Sequence, residues 1–210
     1  MGNLNGGAML ITDITVNNLV KTLENKGYAI KRKGAYALNL VGIRTDDPTP
    51  NIFNDFFCIF YKTETDVHFH VFPCTTDPGL YYLKEPVNID GTAILKPGQY
   101  NDAWQLGEHR GKYKALAQSK PVTVYRDNNR DDNFDLIDTS VQEGLFGINI
   151  HKASSWTQSK QIDKWSAGCQ VIANPFDFGI LIAVIEKSLD VWKQNAFTYT
   201  LIEEKDFLAV

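Results

Sequence analysis

The sequence predicts a β-rich α+β fold with a mixed sheet, one main covering helix and a short N-terminal helix, on three observations. Short apolar runs bounded by turn residues recur along the chain, as in FFCIFY (residues 56–61) and VHFHVF (residues 67–72). One long stretch, Phe178 to Trp192, instead carries a helical stripe. The turn formers Asp77-Pro78-Gly79, Asp90-Gly91 and Pro97-Gly98 cut the middle of the chain into short pieces. With 210 residues, 43% hydrophobic and 22% charged, the chain is long enough to bury a single core. One main domain over residues 36–210 is expected, preceded by an extension over residues 1–35.

Taken in order, Val16, Leu19, Val20 and Leu23 fall at i, i+3, i+4 and i+7, with Asp13 or Thr15 as cap and Gly27 as stop, and define the short helix. The apolar stretch Tyr36 to Ile43 ends at a DDPTP loop and reads as a strand. FFCIFY and VHFHVF read as a hairpin turning at Thr63 to Asp66. Val122 to Tyr125 and Phe146 to Ile150 are further strand candidates, and the polar GEHRGKYK around His109, Arg110 and Gly111 is expected to be an exposed loop, with contact to an anionic substrate group as its functional alternative. Asn174 is a good N-cap and Pro175 suits the first helical position, where its missing N–H costs nothing. Phe178, Leu181, Ile182, Ile185, Leu189 and Trp192 then form the stripe that should face the sheet. Phe197, Tyr199 and Leu201 alternate with polar residues as a last strand. No internal repeat or low-complexity segment is visible.

A formal charge of −4 gives no basic footprint, so nucleic acid is not an expected partner. The start, MGNLNGGAMLITDIT, lacks a basic n-region and its apolar stretch is too short for a signal peptide or a membrane span. A soluble protein made in the cytoplasm is therefore expected. Gly6 stands where myristoylation wants Ser or Thr. Three cysteines, Cys58, Cys74 and Cys169, cannot all pair within one chain, and their spacing is not a zinc pattern. At least one thiol is free, which fits a reducing compartment.

The chemistry gathers in FGINIHKASSWTQSKQIDKWSAGCQVI, Phe146 to Ile172, where His151 precedes Cys169 by 17 intervening residues and the cysteine stands behind Ser166-Ala167-Gly168. A thiolate attacks a carbonyl far better than a thiol, so a catalytic cysteine needs a base or positive potential to lower its pKa. His151 at a strand end supplies one. Gly168 permits a tight turn beside the sulfur, so that amide N–H groups can face a developing oxyanion; losing one such donor typically costs about 2.7–4 kcal/mol. A lone cysteine beside Val171 and Ile172 reads as a small buried hydrophobe; the histidine and the Ser-x-Gly-Cys spacing turn the balance toward catalysis. Cys58 and Cys74 are assigned to packing or loop roles.

This order of His, a gap of that length, and Ser-x-Gly-Cys before an apolar strand resembles the L,D-transpeptidase (YkuD-like) catalytic domain, whose motif is His-Gly followed by Ser-His-Gly-Cys-x-Arg. CTTDPGLYYL, Cys74 to Leu83, is similar to that family's Thr-Pro-x-Gly-x-Phe segment. The resemblance implies an L,D-transpeptidase-like fold with Cys169 as nucleophile, His151 as base, Gly168 in the oxyanion turn and Ser166 ordering the loop. It further implies acyl transfer on peptidoglycan stem peptides (muropeptides) through a thioester, released by an amine or by water, with no cofactor required. Three positions depart from the pattern: Lys152, Ala167 and Val171 replace the family's Gly, second His and Arg. Another cation would have to orient a substrate carboxylate, with Lys152 and Arg110 as candidates. Such departures suit a divergent, phage-encoded wall enzyme reaching its substrate by lysis or particle delivery. The rival reading is a catalytically inactive transpeptidase-like scaffold that binds the wall or serves a structural role. A third is a cytosolic thiol enzyme with an unrelated small acyl substrate.

Within RDNNRDDNFDLID, Asp127, Asn129, Asp131, Asp135 and Asp138 occupy positions 1, 3, 5, 9 and 12 of a calcium-loop pattern, with Asp132 where Gly is usual and Asp138 where Glu is usual. The competing reading is a solvated acidic loop. His68 and His70 share a strand face with no third ligand evident. Trp156 and Trp165 lie between His151 and Cys169, where an aromatic wall would hold a sugar or peptide; for these and Trp104, packing is the alternative.

Overall fold

The computed structural model describes residues 9–208. Gly6, the first residues of the expected extension and the last two residues of the chain lie outside them.

The described chain is a β-rich α+β fold of eleven strands and four α-helices. Helix α1 (Val16–Asn25) is capped by Thr15, whose Oγ1 accepts the Asn18 N–H at 3.2 Å. Strands β1 (Asn39–Arg44), β2 (Asp55–Lys62) and β3 (Val67–Thr75) follow, then a short α2 (Leu80–Lys84). The middle carries β4 (Thr92–Leu95), β5 (Gly98–His109), β6 (Tyr113–Gln118), β7 (Val122–Asp127) and β8 (Gln142–Gly144). Two short strands, β9 (Ile150–Lys152) and β10 (Gln170–Ile172), precede α3 (Pro175–Trp192), β11 (Phe197–Glu203) and α4 (Glu204–Leu208).

Eight strands close a mixed barrel in the order β1-β11-β5-β6-β9-β10-β3-β2, and β4-β7-β8 form a separate small sheet. Within the barrel β1 and β11 are parallel, as are β9 and β10; the other pairs are antiparallel. The run FFCIFY is apolar on both faces because both are buried. Phe57, Ile59 and Tyr61 join the larger core with Trp104, Leu116 and the α3 residues Phe178, Leu181 and Ile185. Phe56, Cys58 and Phe60 join a second cluster with Leu19 and Leu23 of α1 and Phe207 of α4. No helix among the described residues is long and apolar enough to cross a membrane.

Three local expectations shift. The strand expected from Tyr36 begins at Asn39, because Tyr36 sits in the left-handed region at φ 56. The candidate at Phe146 to Ile150 shrinks to β9: Gly147 has φ +72, and the N–H groups of Phe146 and Ile148 both donate to Gln118 Oε1, each at 3.0 Å, instead of to a ladder. The polar GEHRGKYK is no plain loop but the end of a long hairpin, with His109 paired to Tyr113 and Arg110 and Gly111 left-handed at the tip. On α3, Val184 and Ser188 are buried and Trp192 is half-exposed, its Nε1–H donating to Ala35 O at 3.0 Å.

A buried polar chain braces the barrel behind β10. Arg44 Nη2 donates to Thr76 O at 3.1 Å, and its Nε donates to Thr76 Oγ1 at 3.0 Å. The same Nε stands 2.9 Å from Asp77 Oδ1, an ion pair by distance whose angle does not make a hydrogen bond. Asp55 Oδ2 accepts both the N–H and the Oγ1–H of Thr76. Gln170 Nε2 donates to Thr76 O, and Tyr199 OH donates to Gln170 Oε1 at 2.9 Å.

Candidate active site

The parallel pairing of β9 with β10 brings the two halves of the motif together. Gln170 pairs with Ile150 and Val171 with His151, and the Gln170 N–H donates to Asn149 O at 2.9 Å. Cys169 therefore stands at the entrance to β10 beside Asn149, two residues before the histidine.

The turn ahead of the cysteine is built by its own side chains. Ser166 Oγ accepts the Gly168 N–H at 3.1 Å and donates to Cys169 O at 2.8 Å, while Ser166 O accepts the Gly79 N–H at 2.9 Å. Gly168 has φ +114, and a Cβ there would stand 2.1 Å from Ala93 O, so both its backbone angle and its neighbour require glycine. Because Ser166 holds the Gly168 N–H, that group shapes the turn and is not free to bind an oxyanion.

Cys169 is partly exposed. Its Sγ accepts the Asn149 N–H and donates to Gly147 O, each at 3.5 Å. His151 is 1% exposed. Its Nδ1 lies 2.8 Å from Lys152 O, which can only accept, so Nδ1 carries the proton and Nε2 is the bare nitrogen. Tyr113 OH stands 3.2 Å from both that Nδ1 and Lys152 O. Nε2 is buried without a hydrogen-bond partner, Cys169 included.

A second imidazole lies against the first. The His109 ring stacks on His151 with centroids 3.9 Å apart and 24° between planes. Asn149 Oδ1 accepts the Gln118 N–H at 3.0 Å, which orients the amide so that its Nδ2 donates to His109 Nδ1 at 3.2 Å. The neutral His109 thus carries its proton on Nε2.

Burial and neighbouring cations keep this pair of histidines uncharged. Burial above all, then His109 and Arg110, push the His151 pKa down to about 3; His109 is lowered by burial, Arg110 and Lys112. For Cys169 the direction opposes the expectation of an activated thiolate: burial pushes the thiol up to about 11, offset in part by the Asn149 N–H and Arg110. The resting site is a neutral thiol beside a neutral imidazole.

Cys169 opens into a cleft of about 410 Å³ whose wall includes His109, Arg110, Arg126, Phe146, Asn149 and Trp165. A larger cavity, about 540 Å³, lies apart from this chemistry around Ile30, Leu38, Trp192 and Phe197. Of the residues expected to hold substrate, Arg110 and Trp165 line the cleft. Lys152 does not: its Nζ lies 4.9 Å from the Tyr113 ring centroid, and its carbonyl is the part that serves His151. Trp156 is 88% exposed and away from the cleft lining, and Trp104 is fully buried, donating to Ile148 O at 2.8 Å. His68 stacks on Tyr61 and His70 on Phe72, in an aromatic row on the β2–β3 hairpin.

Three of the five side chains of the calcium-loop pattern, Asn129, Asp131 and Asp138, are taken up by other partners, Asp127 is half-satisfied with its Oδ1 buried and unpartnered, and Asp135 engages through its backbone N–H. Asp127 Oδ2 accepts the Asp135 N–H, Asn129 and Asp131 bond to each other, and Asp138 pairs with Lys96 at 2.6 Å. Among the described residues no group of three or more His, Cys, Asp or Glu side chains is arranged to hold a metal.

Sequence reasoning considered His109 only as a possible contact to an anionic substrate group and missed its stacking on His151, and it missed Asn149, Tyr113 and Arg126 altogether. Asn149 had a signal, since it lies two residues before His151 and so on the same face of an extended segment. The others come from β5, β6 and β7, and nothing local marks their place beside His151 and Cys169. A scan against family models and searches of curated proteins and of solved structures return no match for this chain.

Proposed function

We propose that this chain is a cysteine-dependent acyl-transfer enzyme of L,D-transpeptidase type, with a transpeptidase-like fold, acting on peptidoglycan stem peptides. The observation that carries the reading is the bare, buried Nε2 of His151 on the strand paired with the one that Cys169 enters, with His151 stacked against His109, which together with Cys169 lines the cleft. In the resting site the thiol proton points to Gly147 O. A substrate carbonyl entering the cleft would draw the sulfur forward, and His151 Nε2 would take its proton as the S–C bond forms. Lys152 O, accepting from Nδ1–H, stabilises the imidazolium so produced. The imidazolium then protonates the leaving amine, the thioester remains on Cys169, and an amine or water releases it. Delivery by lysis or within a particle fits a wall substrate.

Incubation with tetrapeptide muropeptides followed by intact-mass spectrometry tests this. A thioester adduct on Cys169 that disappears in Cys169→Ala and falls at least tenfold in His151→Ala supports it; no adduct and no muropeptide turnover sink it. The high thiol pKa and the missing Cys169–His151 hydrogen bond favour a second reading, the catalytically inactive wall-binding scaffold. That reading expects purified sacculi to retain the protein, Cys169→Ala included, with no bond cleaved or formed.

A further inference from the structure

We infer that Arg126 is a preformed subsite for a carboxylate on the peptide that enters the Cys169 cleft. Arg126 comes from β7 in the small sheet, yet its side chain forms part of the cleft wall. Its guanidinium is held on two edges: Nε donates to Gln142 Oε1 and Nη1 to Gly91 O, each at 2.9 Å. Its face is held too, with Cζ 4.8 Å from the centroid of the Phe146 ring. Nη2 has no hydrogen-bond partner among the described residues, and no carboxylate there pairs with the guanidinium. Asp90 acts on the guanidinium through space but makes no ion pair with it; its Oδ2 accepts instead from Gln142 Nε2 at 3.4 Å.

The surroundings select for negative charge. The cleft wall holds Arg110 and Arg126 and no Asp or Glu, although the chain as a whole is formally −4. The positive potential is thus local to the cleft. A guanidinium with its orientation already fixed loses little freedom on binding, and its remaining N–H groups match a carboxylate better than a neutral amide. The ligand class is a peptide with a side-chain carboxylate. That this peptide is the acyl donor rests on the acyl-transfer reading; the binding preference does not.

Isothermal titration of the wild-type protein with acetyl-Ala-Glu-amide and acetyl-Ala-Gln-amide, which differ in one carboxylate, reads the preference directly. The Glu peptide is expected to bind roughly tenfold more tightly, the scale of one charge-assisted hydrogen bond, with the advantage shrinking at high salt. Arg126→Gln should abolish the advantage. Arg126→Lys, which keeps the charge but not the braced fork, should lose most of it and stands in if the Gln variant does not fold. Equal binding of the two peptides overturns the inference, as does an advantage that survives both variants or vanishes only in Arg110→Gln. Failure of the acyl-transfer reading is separate: Cys169 then forms no adduct, whatever the ratio of the two affinities.

Discussion

At Cys169 the two contacts to sulfur are long, and neither partner is charged. With the thiol pushed up to about 11, the thiolate fraction rises about tenfold per pH unit throughout the neutral range. Alkylation of Cys169 by iodoacetamide should therefore keep climbing past pH 9; a plateau at or below the ~8.5 of a free cysteine would contradict the burial seen here. His151 has the opposite bias and a consequence for stability. Its pKa is near 3 folded and ordinary when unfolded, so below about 6.5 the unfolded chain takes up a proton that the folded chain refuses. Stability is lost as pH falls from about 6.5 toward 3, and His151→Gln should remove that part of the loss in urea titrations compared at pH 7 and pH 4.5. Gly168→Ala combines a left-handed φ with a Cβ pressed against Ala93 O. We expect it to cost more than about 2 kcal/mol of stability and to slow any adduct formation at Cys169, read by thermal unfolding and intact mass.

Among the elements, α3 was legible in advance because every signal for it is local: cap, proline, stripe. Asn174 Oδ1 accepts the Phe176 N–H at 2.9 Å, and Asn174→Ala should lower stability by about 1 kcal/mol in chemical denaturation while leaving Cys169 alkylation unchanged. The hairpin of β2 and β3 was legible for the same reason, its turn closing where Thr63 N–H donates to Asp66 O. The β5–β6 hairpin was not. Its tip is polar and its bend depends on a left-handed Arg110, which composition disguises as loop. That misreading hid the pairing of His109 with His151, since a histidine in a loop has no reason to stack on another 42 positions away in sequence. Strand β9 fell short of its expected length because Gln118, a residue of another strand, captures two of the N–H groups that the ladder would have used.

For the molecule as a whole, the Arg44 chain shows what holds the barrel around β10. Asp55 and Asp77 are both buried, both raised above the usual carboxylate range by that burial, and share one guanidinium. Arg44→Met would leave two buried carboxylates without a counter-charge and is expected to cost about 3–5 kcal/mol in urea unfolding, more than truncation of an exposed pair. Through Thr76 and Gln170 the same chain reaches Gly168 O, so the loss should also loosen the turn before Cys169.

The amino-acid order was sufficient for the β-rich character, for the capped covering helix, and for selecting Cys169, His151, Ser166 and Gly168 as the residues to watch, because each of those signals spans a few neighbours or one short motif. Closure of the barrel, the stacking of His109 on His151, the bracing of Arg126 by Gln142 and Gly91, and the direction in which the Cys169 thiol is shifted arise from segments far apart in the chain. These depend on strand pairing and burial, which are properties of the packed whole and leave no mark on any local stretch of residues.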